Sequence, residues 1–325
     1  MTPLNSIQQE IAPELDRLNG AIVSILHSPN ELMNRIIDNY LRVKGKQIRP
    51  ILTLLAARMF GDVNDRAIAA GASVELLHNA SLIHDDVIDE TKLRRGVATI
   101  NGLWDNHLAV LIGDFFTSAA LQQALATGDL RIIDAIASLG KMLSIGEVDQ
   151  ISNARSHSLD EEAYMEVIYR KTASLFVSCV RMGAYAVGAD DAQVAPLCEY
   201  ARLLGLAFQI RDDIFDYVDT AETIGKPVGN DLREGKITLP LLHVLADTTL
   251  PRHDEMLALA HRPELDSDDI ATLVAYARDN GGIEYAYSVI GRLRAEGLTA
   301  LKQLPDSASR RHFEQLFDYI IQRHN

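Results

Sequence analysis

One aspartate pattern occurs twice, as Asp85-Asp86-Val87-Ile88-Asp89 and as Asp212-Asp213-Ile214-Phe215-Asp216, each inside a long apolar stretch of helical period. On a helix, residues four apart share a face. Asp85 therefore stands above Asp89 and Asp212 above Asp216, about 6 Å apart at a rise of 1.5 Å per residue. A lone Asp-Asp pair on a helix is most often a solvated face, where like charges cost only a few tenths of a kcal/mol. Two copies in apolar surroundings, each with basic residues nearby, narrow the choice. Two such faces turned toward each other make a cage of carboxylate oxygens. Hard divalent cations such as Mg²⁺ take oxygen ligands, commonly carboxylates together with substrate phosphates. The repeat predicts a metal-bridged diphosphate site in a helical protein.

The rest of the chain agrees with helices. Apolar residues recur near a 3.6-residue period almost throughout, and no convincing β run is present. The spacing predicts helices over 5–27, 30–44, 48–60, 63–91, 106–127, 129–153, 159–188, 191–219, 237–247, 252–261, 267–279, 281–303 and 307–323. Ser158 and Glu161 read as a capping box, and Asn280-Gly281-Gly282 as a helix stop and restart. Hydrophobic residues make up 47% of the 325, enough for a sizeable core. No low-complexity linker divides the sequence. The expected fold is all-α: a single domain over 1–325, a helical bundle around a central catalytic cavity.

Composition removes other classes. A formal charge of −14 lacks the basic footprint of a nucleic-acid binder. Cys179 and Cys198 have no metal or redox spacing and read as small apolar residues in a reducing, cytoplasmic compartment. The segment Met1-Thr2-Pro3-Leu4-Asn5 lacks the basic and apolar stretches of a signal peptide. No run of about 18 apolar residues predicts a transmembrane segment. Three polar connections stand out. Residues 92–105 and 220–236 each leave a helix just after an aspartate motif, and the acidic 247–268 reads as a surface excursion.

Basic residues gather near these elements. Lys46 and Arg49 lie within Gly45–Pro50, Arg94 and Arg95 precede Gly96, and Lys171, Lys226 and Lys236 lie in or beside elements near an aspartate motif. Any one alone is more often solvated than functional. Their association with glycine and proline turns suggests two anion pockets, one on metal and lysine, the other on arginine and lysine, because planar guanidinium groups bind phosphate oxygens in pairs. His78 nearly shares a face with Asp85 and is a candidate phosphate donor, packing being the alternative. His84 reads as a structural neighbour of the carboxylates. Gln209 and Phe208 project beside Asp212, where an amide and a ring suit a substrate cation; a buried amide with a local partner is the competing reading.

The segments named so far, with Glu75–Asp89, Gly113-Asp114, Gly146–Gln150, Lys171–Leu175, Phe208–Asp216 and Gly225–Pro240, run in an order that resembles the all-trans polyprenyl diphosphate synthases of the isoprenyl diphosphate synthase family. The matching runs lie between about residues 40 and 245. Lys44 stands where that family usually has glycine, and Phe215 where it often has leucine. Little beyond 245 matches, apart from a basic tail at Arg323.

The resemblance implies an isoprenoid-synthase fold, a homodimer, and Mg²⁺-dependent condensation of isopentenyl diphosphate with an allylic diphosphate such as farnesyl diphosphate. Asp85, Asp86, Asp89 and Asp212 would hold the metal, three Mg²⁺ ions per site with Mn²⁺ able to substitute, and Asp213 and Asp216 would support it directly or through water. Arg94, Lys171, Lys226 and Lys236 would contact the allylic diphosphate. Lys46, Arg49, His78 and Arg95 would hold isopentenyl diphosphate. Thr172 and Gln209 would lie along the developing cation. Ala80 and Ser81 are small where the family's short-chain enzymes carry aromatic residues, which implies a tunnel and a long, octaprenyl-type product such as a quinone side-chain precursor. Phe115, Phe116, Leu139 and Met142 are candidates for its floor.

Other readings explain less. A short-chain farnesyl or geranylgeranyl diphosphate synthase differs in product alone. A terpene cyclase usually mixes Asn or Asp with Ser or Thr and Glu in its second motif. An HD-type metal phosphohydrolase would use His84-Asp85 and leave the duplicated aspartates unexplained. A catalytically silent partner subunit would have no need of both intact motifs.

Overall fold

The structure, a computed structural model, describes residues 2–42, 45–94, 96–156, 158–218 and 228–322. Lys44, Arg95, Lys226 and Arg323 lie outside the described residues. The elements in order are α1 (Pro3–Glu10), α2 (Ala12–Leu26), α3 (Glu31–Leu41), α4 (Ile48–Phe60), α5 (Asp65–Ile88), β1 (Leu93–Arg94), β2 (Val97–Ala98), α6 (Ile100–Leu103), α7 (Asn106–Ala126), α8 (Leu130–Ser156) and α9 (Glu161–Ile168). A π-helical segment (Tyr169–Ala173) leads into α10 (Ser174–Ala186) and α11 (Asp191–Phe215). After these come α12 (Asn230–Arg233), α13 (Leu239–Ala246), α14 (His253–Ala260), α15 (Ser267–Asp279), α16 (Gly282–Leu301) and α17 (Ala308–Gln322). The all-α expectation holds.

Where boundaries differ from the periodicity, local chemistry explains it. The expected first helix is two helices. Pro13, in the first turn of α2, has no N–H and crowds the preceding turn, and Ile11 breaks the path at φ −105°, ψ 15°. The connection after the first aspartate motif holds an antiparallel hairpin that pairs Leu93 with Ala98 and Arg94 with Val97. The Ser158–Glu161 capping box does not form. Asp160 caps α9, accepting from the N–H groups of Glu162 at 2.8 Å and Ala163 at 3.4 Å, while Glu161 accepts from the Tyr285 hydroxyl at 2.9 Å. A reciprocal box occurs instead at α15, between Asp266 and Asp269. Gly281, at φ 84°, restarts the chain as α16 after the stop at Asn280. The supposed surface excursion contains α14, which buries Met256 and Leu259.

The chain divides into two compact units, one of residues 1–141, 175–198 and 304–315, the other of 142–174, 199–303 and 316–325. In the first, α5 packs along α7 and against α2 and α4. It is apolar on nearly every side, burying Ala67, Ala70, Val74, Leu76, Ala80 and Ile83, as suits a helix enclosed by others. In the second, Leu241, Val244, Leu245, Met256, Leu273 and Ala277 form a core that also takes in Tyr217 and Leu232, on either side of the segment that follows the second aspartate motif.

Close backbone approach sets one packing distance in the first unit. A Cβ on Gly183 would stand 2.2 Å from the Thr53 carbonyl oxygen, an atom that cannot rotate away, so α10 and α4 would have to separate. Gly183→Ala should cost about 1–3 kcal/mol, as overpacking does. Gly20→Ala, with no neighbour within 4 Å, should stabilise α2 by up to about 1 kcal/mol. Urea unfolding followed by circular dichroism checks both signs.

Candidate active site

The first aspartate motif closes α5. Asp86 is buried, Asp85 half-buried and Asp89 exposed. The hairpin turns Arg94 back onto Asp86, whose Oδ1 accepts from Nε at 2.8 Å and from a terminal guanidinium nitrogen at 2.7 Å. The Asp86 carbonyl accepts from the Thr91 N–H at 2.9 Å and the Asn101 amide at 2.8 Å. Arg94, expected on a diphosphate, is thus held by Asp86 and points its end of the hairpin at the motif. His84 Nε2 lies 3.3 Å from the Val110 carbonyl and 3.5 Å from Asp114. A Cβ on Gly113 would come within 2.2 Å of that nitrogen, so the Gly113-Asp114 pair makes room for the ring and gives it a partner.

The other first-unit candidates lie on neighbouring elements. Lys46 is exposed and Arg49 half-buried at the start of α4. Their turn is set by Gln47, at φ 53°, and fastened by the Gln8 amide donating to the Lys46 carbonyl at 3.1 Å. His78 is half-buried on α5, and the Ser81 hydroxyl donates to its carbonyl at 2.9 Å. Ala80 is buried. Phe116 is fully buried, edge-on to Tyr40 with centroids 5.6 Å apart.

The second motif is built around the π segment, which nothing in the periodicity announced. Such segments recur at functional sites. Two glycines let helices close on it. A Cβ on Gly146 would lie 2.9 Å from the Lys171 nitrogen, and one on Gly205 would lie 2.5 Å from the Ala173 Cα. With α8 and α11 this near, Lys171 reaches Glu147 at 2.7 Å and Gln150 at 3.0 Å. The Thr172 hydroxyl donates to Gln209 Oε1 at 2.7 Å, and Gln209 Nε2 donates to Asp213 at 2.8 Å. The other Asp213 oxygen accepts from the Tyr164 hydroxyl at 2.6 Å. Asp216 caps α12, accepting the N–H groups of Asn230 and Asp231, each at 2.9 Å. Lys236 pairs with Glu234. Lys171, Thr172, Gln209, Asp213, Asp231 and Lys236 all line one cleft of about 180 Å³. That is below the roughly 300 Å³ at which pockets enclose whole drug-sized ligands, so the cleft suits a polar head group.

Negative charge is crowded here. Burial pushes the Asp213 carboxyl up to about 6, with Asp212 and Asp216 adding to the shift. Burial also pushes Asp231 up to about 8, reinforced by Asp213 and Asp216. Burial raises the Tyr164 phenol well above its ordinary range, which keeps its proton in place. The residues fit a hard cation: the donors are carboxylate oxygens, and added positive charge would relieve the crowding. Among the described residues, no three His, Cys, Asp or Glu side chains stand close enough to hold an ion alone. Mg²⁺ commonly binds through one or two carboxylates, completing its shell with phosphates and water. Asp213 and Asp216 have the protein partners given above, and Asp212 is half-buried immediately before them in sequence. Sequence reasoning assigned no role to Tyr164 or Asp231. Asp231 carried a signal, because it lies in the Gly225–Pro240 run. Tyr164 carried none.

The Asp213 shift has a stability consequence. A carboxyl whose folded pKa is raised contributes stability below its unfolded value near 3.9, and that contribution is lost as pH rises through about 6. In chelator, the wild type should therefore weaken between pH 5 and pH 8. Asp213→Asn should flatten that slope, gaining about 1 kcal/mol at pH 8 relative to pH 5, because only about one unit of the shift lies above pH 5. Parallel melting-temperature profiles for the two proteins would contradict this.

Comparison with known proteins shows the family. The polyprenyl synthetase family model matches residues 30–277, a span that draws on both units. The chain is 34% identical over 320 residues to the octaprenyl diphosphate synthase of Escherichia coli (strain K12), covering 98% of this chain and 99% of that one. Among solved structures, a decaprenyl diphosphate synthase from Rhodobacter capsulatus superposes with a TM-score of 0.91 at 32% identity, covering 99% of both chains. A polyprenyl synthase from Caulobacter crescentus CB15, complexed with calcium and isoprenyl diphosphate, gives 0.90 at 32% identity, covering 99% of this chain and 98% of that one. The chain belongs to the all-trans polyprenyl diphosphate synthase family, prenyltransferases of the all-α isoprenoid synthase fold.

Proposed function

We propose that this chain joins isopentenyl diphosphate sequentially to an allylic diphosphate such as farnesyl diphosphate, with Mg²⁺, to give a long-chain polyprenyl diphosphate that serves as a quinone side-chain precursor in the cytoplasm. The observation that carries the reading is the single cleft shared by Lys171, Thr172, Gln209 and Lys236 beside Asp213. It offers cations to a diphosphate, and a hydroxyl and an amide to the carbon that diphosphate leaves. The family match across both units supports their working as one synthase domain.

Lys171 and Lys236 exchange their glutamate partners for diphosphate oxygens, forming charge-assisted hydrogen bonds. Asp85, Asp86, Asp89 and Asp212 would hold the metal, with Asp213 and Asp216 fixing the second motif. When bound, Mg²⁺ supplies Lewis-acid stabilisation of the departing group. Thr172 and Gln209 present fixed dipoles where positive charge develops, so little reorganisation is needed at the moment of ionisation. Lys46, Arg49, His78 and Arg95 hold isopentenyl diphosphate, whose double bond attacks the allylic carbon. The proton lost afterwards passes to the released diphosphate. Ala80 and Ser81 leave room for a growing tail.

The homodimer is part of the proposal. Helix α7 buries Ala109, Ile112, Phe116 and Ala120, yet Leu111 and Leu125 stay 62% and 61% exposed and Leu121 42%. By length and composition α7 could cross a membrane, but its packing along α5 makes it a core helix with an uncovered apolar side. A second copy of the chain is the proposed cover, because exposed apolar patches mark interaction sites.

Incubation with labelled isopentenyl diphosphate, farnesyl diphosphate and Mg²⁺ should yield a ladder ending in long chains. Chelator should abolish it, and Ser81→Phe should shorten it while sparing the first addition. A ladder ending at geranylgeranyl length would favour the short-chain alternative, and phosphate release without elongation would favour a phosphohydrolase. Sedimentation at micromolar concentration should give twice the chain mass, and Leu111→Glu should shift it toward the monomer. A monomeric wild type would sink the dimer.

A further inference from the structure

Tyr164 ends the hydrogen-bond chain that runs through Asp213 and Gln209 to Thr172. The direction of each bond in that chain is fixed by chemistry. An ionised carboxylate only accepts, so the Tyr164 hydroxyl and Gln209 Nε2 must both donate to Asp213, at 2.6 and 2.8 Å. The Gln209 amide then has to turn its Oε1 toward Thr172. An amide oxygen only accepts, so Thr172 must donate to it, at 2.7 Å. With its hydrogen committed, the Thr172 oxygen has lone pairs left for the cleft that it, Gln209 and Tyr164 all line.

The reversed amide would aim an N–H at Thr172. The hydroxyl would then accept, and its own hydrogen would be free to point into the cleft. That is the wrong pole beside a developing positive charge. Gln209 is neutral and has no preference of its own between the two orientations. Asp213 sets it, and Tyr164, buried on α9, pins the second Asp213 oxygen so that the carboxylate cannot turn.

We infer that Tyr164 is a positioning residue for the prenyl transfer proposed above: through Asp213 and Gln209 it holds the Thr172 hydroxyl with its oxygen lone pairs toward the allylic carbon. This rests on the proposed function and adds a residue that acts without touching substrate. Without the phenol, the carboxylate can rotate and the amide can adopt both orientations, so fewer complexes are poised for ionisation while diphosphate binding is untouched.

The test compares wild type with Tyr164→Phe, Thr172→Val, the double variant and Gln209→Leu, all in the full chain with Mg²⁺. Tyr164→Phe keeps the ring and should lower kcat about tenfold, with KM for both substrates within about twofold; tenfold corresponds to 1.4 kcal/mol. Affinity for an ammonium analogue of the allylic cation, presented with inorganic diphosphate, should fall by the same factor. Affinity for farnesyl thiodiphosphate, which carries no positive centre, should not change. The double variant should be no slower than Thr172→Val, because one acts through the other. Gln209→Leu should give the same split between the two analogues, which keeps the inference testable should Tyr164→Phe fold poorly. Unchanged kcat in Tyr164→Phe, equal loss of both analogues, or multiplying losses in the double variant would each overturn it. A wild type that elongates nothing would instead overturn the proposed function.

Discussion

A carboxylate buried between helices is stable only when hydrogen bonds and charges replace the water it has lost, and the second half of the site depends on how Asp213 meets that condition. Its two oxygens take a phenol from α9 and an amide from its own helix. Burial pushes its pKa up to about 6, and the two hydrogen bonds, from uncharged partners, offset that rise only in part. Asp216 solves the same problem with two backbone N–H groups, and in doing so anchors α12 and the strand of chain that carries Asp231 and Lys236. The motif is thus partly a scaffold. Two of its carboxylates fix where neighbouring elements go, and the surplus negative charge they leave is what a divalent cation would compensate.

The first motif uses a different balance. Asp86 is neutralised directly by Arg94, brought back by a two-residue hairpin, while Asp85 and Asp89 lie nearer the surface. Glutamates play the corresponding part for the lysines, with Glu147 on Lys171 and Glu234 on Lys236. In the proposed function these pairs keep the lysines oriented until a diphosphate takes the place of carboxylates that are only partly buried.

Much of this was legible in the sequence, and what was missed has physical causes. The duplicated aspartates, the helices that carry them and Gln209 could be read because residues three and four apart on a helix share a face, whereas the roles of Lys171 and Thr172 came from the resemblance to the family. The spacing told which side chains share that face but not what they bond to, so Asp216 could not be known as the cap of a helix fourteen residues on. The π segment changes the phase of one turn without changing composition. Glycines 146 and 205 are ordinary in sequence, and only packing shows that each is a point of helix contact. Tyr164 is 49 residues from Asp213, and no periodicity links residues across that distance. Ser158 and Glu161 matched the capping-box pattern, but Asp160, a favoured N-cap residue nearer the helix, took the bonds.

The proposed function requires both aspartate motifs to hold metal for one diphosphate. It is tested most directly by calorimetric titration of farnesyl thiodiphosphate, which binds without ionising, into the wild type, Asp85→Ala and Asp212→Ala, each with Mg²⁺ and with chelator. The account predicts tight binding to the wild type with Mg²⁺ alone, and a loss of at least about tenfold, or 1.4 kcal/mol, in each variant. Equal affinity in chelator, or wild-type affinity in either variant with Mg²⁺ present, would contradict it.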